Sequence, residues 1–161
     1  MVAIKEAHKS NYDYLITMDA DLSHDPKEIP RFLHALNNSN YVVGTRSRGG
    51  KTELKGIRLV LSKGANLFCR FLLPTGLSEY TNGYRAYDRS AIDVLIKNPP
   101  KGSDYSFFIE VTNTLFLSRL NLTEIPIVFR NRFAGKSKIP PFQIFSSTNK
   151  IIRLFLLRIL A

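Results

Sequence analysis

Between Tyr14 and Thr45 the chain spells out a strand, a helix and a strand with short links, and this unit most constrains the fold. Tyr14-Leu15-Ile16-Thr17-Met18 is an apolar run that reads as a strand. Asp25-Pro26-Lys27-Glu28 then reads as a helix start, with Asp at the N-cap, Pro in the first position and Glu in the third. The pattern predicts a helix running to Leu36 that buries Ile29, Phe32, Leu33 and Leu36, and Asn37-Asn38-Ser39-Asn40 ends it. Tyr41-Val42-Val43-Gly44-Thr45 is a second buried strand, with Arg46 as its last side chain. Elements in this order with short connections are the pattern of a parallel α/β sheet.

Asp19-Ala20-Asp21 follows the first strand directly. Open α/β sheets bind ligands at the carboxyl edge of their strands, which is where these two side chains fall. Two carboxylates so close repel each other and lose hydration, so they are costly unless something positive meets them. A divalent cation carrying a diphosphate resolves that conflict, because Mg2+ is held by one or two carboxylates plus substrate phosphates. Taken alone, the tripeptide also fits a solvated turn.

Charge narrows the partner. There are 23 Lys and Arg against 13 Asp and Glu, a formal net charge of +10, which favours nucleic acid, anionic lipid head groups or phosphorylated substrates. A nucleic-acid partner is not expected, because no aromatic residues interleave a basic face and no reading motif is present. The single cysteine, Cys69, rules out an intrachain disulfide and a Cys-based zinc site, and reads as a buried thiol in a reducing compartment. Met1 to Asp13 is polar and unlike a signal peptide, and no apolar run is long enough to span a bilayer. These features give a cytoplasmic expectation.

The remaining chain divides as follows. Val2 to Ala7 reads as the end of a helix, and Ser47 to Lys55 as a mobile loop rich in Gly and charge. Ile57 to Leu73 is helical and closed by Pro74, with Lys63, Asn66 and Arg70 on one face. Leu59, Val60, Leu61, Leu67, Phe68, Phe71 and Leu72 cover much of the rest of that helix. Gly76 to Tyr87 reads as irregular, 91–96 and 104–120 as helices, and Glu124 to Phe129 as a strand whose Pro126 argues for an edge or a bulge. Arg130 to Pro141 is a basic loop. Residues 142–161 separate from the 1–141 domain by composition. Ile151 to Leu160 is apolar apart from Arg153 and Arg158, which share a helix sector with Lys150. This tail fits a helix lying in a membrane interface, or a terminal helix packed on the core.

Five segments carry the chemistry: Met18-Asp19-Ala20-Asp21-Leu22-Ser23-His24, Gly44-Thr45-Arg46, Ser62-Lys63-Gly64-Ala65-Asn66 preceded by Arg58, Gly83-Tyr84-Arg85-Ala86-Tyr87, and Gly135-Lys136-Ser137-Lys138 after Arg132. In this order and spacing the chain resembles the dolichol-phosphate mannosyltransferase group of family 2 glycosyltransferases, essentially from Val2 to Leu160. The resemblance implies a GT-A fold, an α/β Rossmann-like sheet with flanking helices. It also implies that the chain is N-terminally truncated, lacking the first βα units and the acidic residue that recognises the nucleotide base. The implied reaction moves a sugar from a nucleotide-diphosphate sugar to a polyprenyl or dolichyl phosphate with inversion, mannose from GDP-mannose being the first expectation. A related glucosyl or aminosugar transferase, and a truncated non-catalytic module that binds a membrane or a partner, are the alternatives.

By match to the family's motifs, Asp19, Asp21 and Arg46 are the catalytic residues, with Mg2+ or Mn2+ held by Asp19 and Asp21. Arg58, Ser62, Arg132, Ser137 and Lys138 are assigned to the acceptor phosphate. Asp19, Asp21, Arg85 and Glu110 are assigned to the donor. Arg85 is alternatively a clamp on its own loop, Glu110 alternatively half of a structural ion pair, and Arg58 and Lys63 alternatively a solvated face. His24 is expected to hydrogen-bond its loop rather than bind metal. Phe108 stands where many members have Gln, and Glu79 where Asp is usual. Further implied partners are the membrane surface, approached peripherally from its cytoplasmic face, and a small membrane subunit.

Overall fold

The strand β2 (Tyr41–Thr45) is buried along its whole length, and its alternation divides the apolar side chains between two layers. Tyr41 and Val43 face one core, and Val42 faces the other. The computed structural model, which describes residues 1–102 and 104–131, builds helices onto both faces of the sheet around this strand. On one face α1 (Val2–Lys9), the last turn of α3 (Gly56–Leu72), α4 (Arg89–Lys97) and α5 (Asp104–Leu117) bury Ile4, Leu72, Ile92, Leu95 and Leu115. On the other, α2 (Ile29–Leu36) packs Phe32 and Leu36 against Val42, Tyr84 and Ala86. Two such layers on a sheet are the expected solution for an α/β chain.

The sheet differs from the simplest reading of strand, helix, strand. β1 (Tyr14–Thr17) and β2 run in the same direction but are not neighbours. β4 (Arg85–Asp88) lies between them, antiparallel to both, pairing Ile16 with Ala86 and Val42 with Ala86. The order is β1-β4-β2-β5, with β5 (Leu122–Pro126) parallel to β2 on the far edge. Arg85 and Asp88 hide β4 in the sequence, since a charged residue opens and closes it. Its strand character is supplied by neighbours on both sides rather than by propensity.

The predicted strand over 124–129 is two strands. β5 starts two residues earlier and ends at Pro126, on the sheet edge, where a missing N–H is tolerated. After Ile127 the chain enters β6 (Val128–Phe129), which pairs in parallel with β3 (Lys51–Thr52). The 47–55 segment, expected as a mobile loop, is thus tied down by Lys51 N–H to Ile127 O at 2.8 Å and Glu53 N–H to Phe129 O at 2.9 Å.

Helix starts follow the sequence closely. Asp25 caps a 3-10 turn at Pro26–Glu28 that leads into α2, its carboxylate accepting from the Lys27 N–H at 3.0 Å. Leu33, expected inside, is instead exposed, whereas Phe32 is fully buried. Asp88 caps α4 through the Ala91 N–H at 2.8 Å. α3 ends at Leu72 because Pro74 forces Leu73 into an extended conformation. Its inner side is Asn66, Cys69 and Leu72. Its outer side exposes Ile57, Val60, Leu61, Leu67 and Phe71, so much of the apolar surface expected on this helix points away from the core.

Candidate active site

The Met18–Ser23 loop leaves the end of β1, where Thr17 Oγ1 donates to Gly83 O at 2.9 Å and ties the strand to the start of β4. Asp19 lies against Gly83: a Cβ built there would sit 3.1 Å from Asp19 Oδ1, a tight contact that would push the carboxylate back by a few tenths of an ångström. Asp21 Oδ1 accepts from the Ser23 N–H at 3.1 Å and from the Ser23 hydroxyl. Both aspartates are partly exposed.

Beneath the loop, His24 is buried and does hydrogen-bond the loop, as expected. Its Nδ1 accepts from the Asp19 N–H at 2.9 Å, which places the ring proton on Nε2, facing Asn82 Oδ1 at 2.7 Å. The ring packs against Tyr84 and, edge-on, Phe129. Burial pulls its pKa below 6.5, overriding the nearby Asp19 carboxylate. His24 is therefore a neutral, single-tautomer support for the backbone of Asp19.

Arg46 closes β2 and is drawn into a buried ion pair. Its Nε and Nη2 donate to the two carboxylate oxygens of Glu79 at 2.8 and 2.9 Å, and Nη2 also reaches Thr81 Oγ1 at 2.9 Å. Glu79, fully buried, also accepts from Asn66 Nδ2 on α3 at 2.8 Å and from the Thr81 N–H. Burial alone would raise its pKa, but the hydrogen bonds and charge of Arg46, with Asn66 and Thr81, hold it below 4.5. Arg46 thus fastens the 79–81 loop to β2.

Of the two readings of Arg85, donor contact and clamp on its own loop, the geometry follows the second: the side chain is completely buried. Nε donates to Asn82 O and Nη2 to Tyr80 O, each at 2.6 Å, and Nη1 donates to Tyr41 Oη, Phe108 O and Thr112 Oγ1. Its guanidinium lies 4.5 Å from the Phe108 ring centre. The residue clamps its own loop, and Phe108 provides its apolar floor.

Glu110, also assigned to the donor, caps a turn: Oε2 accepts from the N–H groups of Lys101 at 2.7 Å and Gly102 at 2.9 Å. It forms none of the ion pairs found among the described residues. Arg58 and Ser62 lie one turn apart on α3, Arg58 exposed and Ser62 half-buried. Arg132, Ser137, Lys138 and the 142–161 tail lie outside the described residues.

Several residues of this framework had no sequence prediction. Asn82 donates to Gly44 O at 2.6 Å while receiving His24, and Glu124 accepts from the N–H and hydroxyl of Ser78 at 2.7 and 2.8 Å. Asn82 before Gly83, and Glu124 in an apolar strand, were the available signals.

Among the described residues no three His, Cys, Asp or Glu side chains gather into a metal site. The chemistry on offer is the carboxylate pair Asp19 and Asp21, a donor set that fits Mg2+ or Mn2+ bound partly through substrate phosphates.

Residues 4–96 match the family model for glycosyl transferase family 2, which is more than half of the chain. The chain belongs to glycosyl transferase family 2. The matched stretch contains the Asp19 loop, α3 and β4, and the mixed sheet between helix layers agrees with the GT-A arrangement expected of such a glycosyltransferase. It is 35% identical over 146 residues to a polyprenol monophosphomannose synthase of Mycolicibacterium smegmatis, covering 89% of this chain and 55% of that protein. It is 33% identical over 130 residues to an undecaprenyl-phosphate mannosyltransferase of Micrococcus luteus, covering 80% of this chain and 54% of that one. This glycosyltransferase chain therefore spans about half the length of the curated relatives it matches.

Proposed function

We propose that this chain is the Asp19–Asp21 and acceptor-side portion of a polyprenyl-phosphate mannosyltransferase, which moves mannose from GDP-mannose to a polyprenyl or dolichyl phosphate with inversion. The observation that carries the reading is the similarity to two proteins named for that class of reaction, with Asp19, Asp21, Arg58 and Ser62 all inside the residues 4–96 that match the family model. A phosphate monoester has a second pKa of about 6, so the acceptor is largely dianionic at neutral pH and needs no dedicated general base. One of its oxygens attacks the anomeric carbon from the face opposite the GDP leaving group; the new C–O bond forms as the bond to the diphosphate breaks. Asp19 and Asp21 would hold Mg2+ or Mn2+, which when bound would neutralise charge developing on the departing diphosphate. Arg58 and Ser62, joined by Arg132, Ser137 and Lys138, hold the acceptor phosphate, with Arg giving bidentate contacts.

The outward face of α3 supports work at a membrane surface. Ile57, Val60, Leu61, Leu67 and Phe71 are exposed together, and Lys55, Arg58, Lys63 and Arg70 are exposed on the same helix and its cap. An apolar face edged by basic residues is the pattern of interfacial helices. Approach from the cytoplasmic face, and a small membrane subunit as an added tether, complete the proposal. The same face favours a second reading, a non-catalytic membrane-binding module.

The test incubates the chain and its Asp21→Ala variant with detergent-dispersed polyprenyl phosphate, Mg2+ or Mn2+, and labelled GDP-mannose or other nucleotide sugars. Metal-dependent transfer lost in the variant is the expected result. Vesicle binding without transfer supports the module instead.

A further inference from the structure

The residues assigned to the donor and those assigned to the acceptor sit on separate elements: Asp19 and Asp21 follow β1, whereas Arg58 and Ser62 stand on α3. A group transfer needs the two held at a fixed spacing, and small misplacements are costly. Two sets of hydrogen bonds, linked by the backbone from Glu79 to Asn82, join them. From Asp19 the N–H reaches His24 Nδ1 at 2.9 Å, and His24 Nε2 reaches Asn82 Oδ1 at 2.7 Å. Asn82 is anchored to β2 through Gly44 O at 2.6 Å. Three residues earlier, Glu79 accepts from Asn66 Nδ2 at 2.8 Å, and Asn66 Oδ1 accepts from the Tyr80 N–H at 2.8 Å. Asn66 is one turn beyond Ser62 on α3. His24, Asn82, Glu79 and Asn66 are all buried.

Burying four polar side chains this way is expensive where apolar residues would pack as well, and what it gains is direction: each bond fixes one angle and one distance. We infer that the segment Glu79–Asn82 is the frame that sets the two halves of the site in register, Asn82 acting through His24 on the backbone of Asp19 and Glu79 acting through Asn66 on α3. His24 and Asn66 are then positioning residues that touch neither substrate. The inference rests on the transferase reading above.

The frame makes a split prediction. His24→Gln keeps a polar group near Asn82 but offers no acceptor at the Nδ1 position, whereas His24→Asn places its Oδ1 there. Two bindings are measured on the purified chain: Mn2+ with GDP, by electron paramagnetic resonance, and farnesyl phosphate, by calorimetry. His24→Gln weakens Mn2+ binding about ten-fold, the usual effect of losing a group that orients a metal ligand, and leaves farnesyl phosphate binding unchanged. His24→Asn restores the Mn2+ affinity. Asn66→Leu does the reverse, weakening farnesyl phosphate and sparing Mn2+. Equal losses for both ligands in each variant, or identical behaviour of His24→Gln and His24→Asn, overturn the frame. Thermal melts accompany each variant, and Asn66→Ser replaces Asn66→Leu should the latter fail to fold. Asp21→Ala separates the frame from the reading beneath it. Unchanged Mn2+ affinity in that variant defeats the transferase site itself, whereas its loss alongside an unaffected His24→Gln defeats the frame alone.

Discussion

Replacing Arg85 with Met tests whether this arginine is a clamp or a substrate contact. The side chain is fully buried, and none of the ion pairs among the described residues includes it. Its charge is instead spread over the carbonyls of Tyr80, Asn82 and Phe108, the hydroxyls of Tyr41 and Thr112, and the ring of Phe108. Met fills a similar volume but strands the carbonyls of Tyr80 and Asn82, each worth about 1 kcal/mol or more when left without a donor, whereas Phe108 O keeps the Thr112 hydroxyl at 2.9 Å. Part of that loss is offset because a buried cation no longer has to be desolvated, leaving a net destabilisation of about 1–3 kcal/mol. For a chain of this size that lowers the melting temperature by roughly 5 °C. Arg85→Lys keeps the charge and three donors but not the planar fork, and falls between Met and the parent chain. Urea unfolding followed by circular dichroism gives the stabilities, and nucleotide-sugar binding is measured alongside. An Arg85→Met chain as stable as the parent, with nucleotide-sugar affinity lost, would refute the clamp and return Arg85 to the donor.

Two further outcomes follow from exposure and protonation. Changing Ile57, Leu67 and Phe71 together to Ser leaves stability nearly unchanged, because all three are already in water. Vesicle affinity read by flotation on anionic vesicles drops by about 1,000-fold or more, since each large apolar side chain inserted in lipid is worth about 1.5–3 kcal/mol; undiminished flotation rules out α3 as the docking face. Acid weakens the fold in two windows. His24 has its folded pKa lowered from 6.5, so its contribution is complete above that value and declines as pH falls below it. Glu79 has its folded pKa lowered from 4.5, so its contribution is complete above 4.5 and is lost as pH drops through the folded value. Unfolding free energies from pH 8 to 4 show the first decline in the parent chain and not in His24→Asn. A flat parent profile between pH 7 and 5.5 would contradict a neutral buried His24.

The sequence disclosed the elements whose local chemistry agrees with their environment. β1, β2 and α2 are apolar where buried, and Asp25 caps the turn that leads into α2, so pattern and structure coincide there apart from Leu33. β4 escaped because Arg85 and Asp88 read as polar loop, although the fold satisfies Arg85 internally and uses Asp88 as a cap. On α3 the apolar face was visible in the spacing, but nothing in the spacing says whether such a face turns toward a core or away from it. At the site the carboxylate pair was legible from its place after a strand. The partners of Glu79, Asn66 and Asn82 were not, because they come from other segments of the chain and depend on topology rather than on local motif.

The position of β4 also governs how the chain must assemble. β1 and β2 are made before β4, the strand that lies between them, and Thr17 waits for a partner 66 residues later at Gly83. Closing loops of that length before any sheet bond is gained slows folding and leaves two apolar strands open to wrong pairings. On a ribosome the Asp19 loop therefore stays unformed until Gly83 and Arg85 have emerged, and its maturation is set by the arrival of a late central strand.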